Sequence, residues 1–124
     1  MRKIVILVGA VALLTMMFAG VAFAVNKQCS NKPCNGTSSA DTLFERGGNG
    51  VSDEIYGRAG ADRIFADSFT NDRDILYGNR GDDRLDATDG DGRDELYGGP
   101  GFDRCFGDPG DLYRSCEVIN GVVQ

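Results

Sequence analysis

Seven aspartates in this chain share one local setting: an Asp, a variable residue, then an apolar one. They stand at positions 41, 53, 62, 74, 83, 94 and 103. The gaps between them are 12, 9, 12, 9, 11 and 9 residues. A carboxylate is a hard oxygen ligand, and an array of carboxylates suits Ca²⁺, which takes roughly six to eight oxygens. Stacked carboxylates also repel one another unless a cation sits between them. Mg²⁺ fits less well, because it wants a small octahedral shell and keeps its waters. Transition metals favour imidazole or thiolate, and the chain has no His. Acidic pairs can serve a glycosidase. Here the periodicity already accounts for every prominent Asp, and no nucleophile motif accompanies them, so the expectation is a protein that is not an enzyme.

The elements that position these Asp follow from the same spacing. Short and long gaps alternate, so two steps make one period of 20 or 21 residues. A fixed period of that length marks a stacked repeat. Two short strands and two turns per period describe one coil of a β-solenoid, with a minimal turn on one edge and an inserted turn on the other. Alternate residues of a strand point to opposite faces. The third residue of each step therefore points inward, which places Leu43, Ile55, Ile64, Leu76, Leu85, Leu96 and Cys105 in the core. Outward positions form ladders: Arg63, Arg84 and Arg104 on one face, Glu54, Ile75 and Glu95 on the other, with a stripe of Tyr56, Tyr77 and Tyr97. The stripe is read first as cross-strand stacking. It is also a surface that a glycan or a cell-surface partner could use. Ice binding would need a flat Thr ladder, and the outward positions carry Arg, Glu and Tyr instead.

The short-gap turns are rich in glycine. Gly98-Gly99-Pro100-Gly101-Phe102-Asp103-Arg104-Cys105-Phe106 is the fullest copy, with Gly78–Asp86 and Gly57–Phe65 as two more and Gly36–Phe44 as a looser one. This pattern resembles the RTX, or haemolysin-type, calcium-binding nonapeptide Gly-Gly-x-Gly-x-Asp-x-U-x, with U a large aliphatic residue. The resemblance covers about residues 36 to 107 and implies an all-β fold: a right-handed parallel β-roll of about 3.5 coils with Ca²⁺ between stacked turns. It implies that Asp62, Asp83 and Asp103 are calcium ligands in well-formed repeats, and Asp41, Asp53, Asp74 and Asp94 in degenerate ones. Gly57, Gly60, Gly78, Gly81, Gly98 and Gly101 take the turn positions around the ions. The second Gly of the pattern is Arg58 in one copy and Asn79 in another, and the long-gap turns lack the glycine prefix. Two acidic inserts, 66–73 and 87–93, are either further ion loops or plain turns.

The flanks complete the organisation. Residues 1–24 have a basic start, an apolar run from Ile4 and an Ala22-Phe23-Ala24 ending, which reads as a signal peptide cleaved before Val25. An uncleaved anchor is the alternative, since the apolar run is long enough to span a bilayer. The expected location is extracellular, with no membrane contact after cleavage. Without Arg2 and Lys3, the 13 basic residues fall to 11 against 19 acidic ones, a net charge of −8. That balance disfavours nucleic acid and favours cations. Export permits disulfides. Local pairs, Cys29 with Cys34 and Cys105 with Cys116, suit a stack better than bonds between its ends, and a zinc site finds no His to support it. Residues 25–36 form a disulfide-containing leading segment and 37–107 the roll. The Asp-x-aliphatic pattern stops after Gly107, so 108–124 are read as a cap in which Glu117–Asn120 add a last strand. The chain is expected to act as a monomer. The apolar core is thin, so the resemblance and the acid array together imply that folding is coupled to Ca²⁺ binding.

Overall fold

The computed structural model describes residues 23–29, 33–45, 51–66 and 71–124. The proposed signal sequence lies almost wholly outside the described residues, as does part of the 66–73 insert. The described residues contain twelve strands and no helix. In chain order they are β1 (Asn26–Cys29), β2 (Cys34–Asn35), β3 (Thr42–Glu45), β4 (Glu54–Ala59), β5 (Arg63–Phe65) and β6 (Ile75–Arg80). They continue with β7 (Arg84–Ala87), β8 (Glu95–Tyr97), β9 (Arg104–Gly107), β10 (Leu112–Arg114), β11 (Val118–Ile119) and β12 (Val122–Val123).

Odd and even strands separate into two sheets. One runs β1-β3-β5-β7-β9-β11-β12 and the other β10-β8-β6-β4-β2. All pairings are parallel except β11 with β12. The fold is thus a parallel β-solenoid, and the 20- or 21-residue period is its coil. Strands β3 to β9 are the 3.5 coils legible in the repeats.

Register follows the Asp steps. Arg63 pairs with Arg84 and Arg84 with Arg104; Tyr56 pairs with Tyr77 and Tyr77 with Tyr97. The pleat then sends the apolar residue of every step inward. Leu43, Ile64, Leu85 and Cys105 form one column, facing a second column of Ile55, Leu76 and Leu96, and all seven are fully buried. The Tyr rings stack in sequence, with centroids 4.7 and 4.9 Å apart. The Tyr56 hydroxyl donates to Glu54 Oε2 at 2.7 Å, which pushes its pKa up to about 12. On the other sheet Arg84 lies over the Phe106 ring at 4.1 Å.

Both ends depart from the simple pattern. Disulfides join Cys29 to Cys34 and Cys105 to Cys116. The sequence shows no Asp step after Gly107, yet the coil continues there. Leu112 pairs with Glu95 and Tyr113 with Leu96, which puts Asp111 in the column of Asp94. Glu117 takes the next place in the column of Asp103, because β11 pairs with β9. The step hides because Tyr113 replaces an aliphatic residue and Glu replaces Asp.

Candidate metal centre

All seven repeat Asp are buried, each 2 % exposed or less. They stand one residue before their strands, in two columns. The tight edge carries Asp41, Asp62, Asp83 and Asp103; the inserted edge carries Asp53, Asp74, Asp94 and Asp111. Within each column one carboxylate oxygen has a fixed task. Asp62 Oδ1 accepts the Asp41 N–H, Asp83 Oδ1 the Asp62 N–H and Asp103 Oδ1 the Asp83 N–H, each at 2.8 Å. Asp74 Oδ1 accepts from Asp53 and Asp94 Oδ1 from Asp74 at the same distance. The columns end on Glu117 Oε2, which accepts the Asp103 N–H at 2.7 Å, and on Asp111 Oδ1, which accepts the Asp94 N–H at 3.0 Å. This backbone-capping role is not visible in sequence spacing, which shows only that the Asp recur in phase.

The second oxygen has a different setting. Oδ2 of Asp53, Asp62, Asp83, Asp94 and Asp103 is buried with no hydrogen-bond partner. A buried acceptor left unmatched costs about 1–3 kcal/mol, and more when it is charged. On the tight edge these oxygens lie against glycine. A Cβ added to Gly57, Gly78 or Gly98 would come within 3.0 Å of Oδ2 of Asp62, Asp83 or Asp103, five residues on. It would also come within 3.0 Å of a main-chain carbonyl of the next coil, that of Gly78, Gly98 or Ser115. The glycines therefore leave room for a carboxylate oxygen and a carbonyl oxygen side by side, which is the donor set of a hard cation. Gly60, Gly81 and Gly101 complete these turns at φ of 115°, 132° and 149°. The two departures from the glycine pattern hold the same hand: Arg58 has φ 87° and Asn79 has φ 73°.

Electrostatics agree with that chemistry. Asp62, Asp83 and Asp103 are each raised from 3.8 to about 6, chiefly by burial, with neighbouring carboxylates adding and a main-chain N–H opposing. Asp94 is raised further, to about 8, by burial first and then by Asp89, Asp111 and Asp74 around it. Burial thus shifts these sites toward the neutral acid. A divalent ion held there would reverse the shift and offset the repulsion between rungs.

The inserted edge adds loop carboxylates. Two groups of three acids have oxygens within 4.8 Å of one another, Asp72 with Asp89 and Asp91, and Asp91 with Asp94 and Asp111. The structure thus brings the sequence-nominated Asp into two columns and adds Asp72, Asp89, Asp91 and Asp111 beside one of them. Asp72, Asp89 and Asp91 were visible in the two acidic inserts, and Asp111 was not.

No curated protein and no solved structure matches the chain. The RTX calcium-binding nonapeptide repeat, a family model of four copies, matches residues 35–71, 70–91 and 87–111. The match spans more than half of the 124 residues and contains every repeat Asp. The chain belongs to the RTX calcium-binding nonapeptide repeat family.

Proposed function

We propose that this protein is a secreted, non-catalytic Ca²⁺-binding β-roll whose folding is coupled to ion binding. The two columns, Asp41, Asp62, Asp83 and Asp103 and Asp53, Asp74 and Asp94, supply carboxylates. Main-chain carbonyls of the turns at Gly57, Gly60, Gly78, Gly81, Gly98 and Gly101 supply the remaining oxygens. The observation that carries this reading is the buried Oδ2 of Asp53, Asp62, Asp83, Asp94 and Asp103, each with no hydrogen-bond donor. Two disulfides fit an oxidising compartment. Extracellular calcium modules bind at about 10⁻⁴–10⁻³ M, so such a protein stays metal-free at low Ca²⁺ and loads at high Ca²⁺.

The stacked Tyr56, Tyr77 and Tyr97 favour a structural role for that face over a docking role. The rings pack on one another, and the Tyr56 and Tyr97 hydroxyls are engaged by Glu54 and Glu95.

Far-UV circular dichroism of the metal-free protein across a Ca²⁺ titration, with Mg²⁺ as control, tests the proposal. The expected outcome is a Ca²⁺-specific gain of β signal. A full β signal without metal, together with no heat of Ca²⁺ binding, would leave a solenoid held by its disulfides and backbone alone.

A further inference from the structure

Two copies of the glycine-rich turn carry a side chain where the pattern asks for none. Arg58 and Asn79 stand where the third copy keeps Gly99, and all three hold positive φ, at 87°, 73° and 110°. That conformation is free for glycine, tolerable for Asn and costly for Arg. No local contact offsets the cost at Arg58. The residue is exposed, and among the described residues its side chain makes no ion pair. Strained residues of this kind cluster at binding sites.

The pairing of β4 with β6 brings a second cation beside it. Arg58 is in register with Asn79, and Ala59 with Arg80. Arg80 is likewise exposed and outside the ion pairs of the described residues. Both arginines line a groove of about 560 Å³ together with Tyr56, Ala59, Asn79 and Pro100. Small-molecule sites span roughly 300–1,000 Å³. None of these six residues is an acid, and the Glu54 carboxylate is engaged by the Tyr56 hydroxyl instead. A groove on the other sheet, beside Arg63, Arg84 and Arg104, includes Asp62, Asp82 and Asp83 and so supplies its own counter-charge. The first groove therefore presents two uncompensated guanidinium groups on a protein of net charge −6.

The walls define the ligand. A guanidinium is a planar fork of donors that matches a carboxylate or a phosphate. The Tyr56 ring is held in place by its stack on Tyr77 and by its bond to Glu54. Ala59 and Pro100 add apolar surface. We infer that this groove binds a small oxyanion, a carboxylate or phosphate group carried on a flat apolar ring, with Arg58 and Arg80 holding the charge. The Tyr stack stays structural. The groove lies past it, at the C-terminal ends of β4 and β6, and uses Tyr56 as one wall. Arg58 and Asn79 are departures from the nonapeptide, so the site is built from this chain's own side chains and is independent of ions in the turns.

NMR titration of the protein in the presence of calcium, with benzoate and with phenyl phosphate, tests the site. Benzamide is the neutral control and acetate the control without a ring. Saturable shifts at Arg58, Arg80 and Tyr56 are expected with at least one of the two ring anions, at least about tenfold tighter than with benzamide. The tighter of the two identifies carboxylate or phosphate as the preferred group. Arg58→Gly should weaken binding at least about tenfold while the denaturant midpoint stays equal or rises, because glycine removes the charge and the backbone cost together. Arg80→Gln leaves the strained position intact and should weaken binding as well. Saturation by neither anion, equal affinity for benzamide, or wild-type affinity in either variant would overturn the site. Acetate binding as tightly as benzoate would overturn the part given to the ring.

Discussion

The two edges of the solenoid use the same Asp in opposite surroundings. On the tight edge a glycine stands five residues before Asp62, Asp83 and Asp103, and the carboxylate oxygen fills the space that glycine leaves. On the inserted edge Phe69 and Asp89 stand five residues before Asp74 and Asp94. There the turn is longer and brings carboxylates of its own. In the proposed sites the tight edge would economise on side chains and draw its other oxygens from main chain of the next coil. The inserted edge imports charge, and Asp94 rises to about 8 against about 6 for the tight-edge rungs, by burial first and then by the carboxylates around it. Ligand sets built from backbone are uniform along the stack, whereas those built from loops differ from coil to coil.

The largest test of that contrast removes whole carboxylates. Asp83→Ala orphans the Asp62 N–H and empties space packed against Gly78. It should cost about 2–3 kcal/mol in calcium-saturated chemical denaturation. Asp74→Ala orphans the Asp53 N–H at a rung with Phe69, not glycine, five residues before it, and should cost about 1–2 kcal/mol. Equal losses would mean that the glycine cradle adds nothing.

Next in size is Gly78→Ala. Its Cβ would meet both Asp83 Oδ2 and the Gly98 carbonyl. Overpacking of this kind costs about 1–3 kcal/mol, and calcium affinity should fall with stability. A variant with wild-type melting and wild-type affinity would remove the close-packed account of the tight edge.

Acidity separates the metal-free and loaded forms. Asp62, Asp83 and Asp103 have folded pKa values of about 6, and Asp94 of about 8, above the ordinary 3.8. Folding therefore favours the protonated acid. In the metal-free protein this contribution is complete below the ordinary value and is lost as pH rises, through about 6 on the tight edge and about 8 at Asp94. Ions bind the deprotonated form, so calcium affinity should move the other way. Whatever β signal the metal-free protein retains should be larger at about pH 5 than at about pH 8.5, with the gain on adding calcium larger at the higher pH. Metal-free β signal that climbs with pH would contradict the burial of uncompensated acids.

The smallest effect concerns the tight edge alone. Arg58 holds φ 87°, where a side chain is strained. Arg58→Gly should gain up to about 1 kcal/mol by denaturant midpoint. A loss would show that the arginine side chain contributes more than its backbone costs.

Much of this was legible beforehand. The alternating gaps disclose two strands per coil, and the Asp-x-apolar step discloses which face is core, because a pleat has a period of two. The Tyr and Arg ladders follow from the same phase. Three things stayed hidden. Asp111 follows Asp94 by 17 residues and Glu117 follows Asp103 by 14, so neither keeps the period. At the other end β1 pairs with β3 although Val25 stands where an Asp would be. The division of labour between Oδ1 and Oδ2 was hidden as well, since it depends on how closely coils approach rather than on residue order.

The Oδ1 bonds also give the stack a direction. Val25 N–H is capped by Asp41, Asp41 by Asp62, Asp62 by Asp83, Asp83 by Asp103 and Asp103 by Glu117. Every amide in this series waits for a carboxylate that lies later in the chain. A polypeptide made from its N-terminus therefore holds each coil open until the next one arrives. The last two acids, Asp111 and Glu117, act as the closing stitches of a knitted edge. Loss of the final dozen or so residues would leave the row free to run, whereas loss of the first coil would free only an acceptor that water can satisfy.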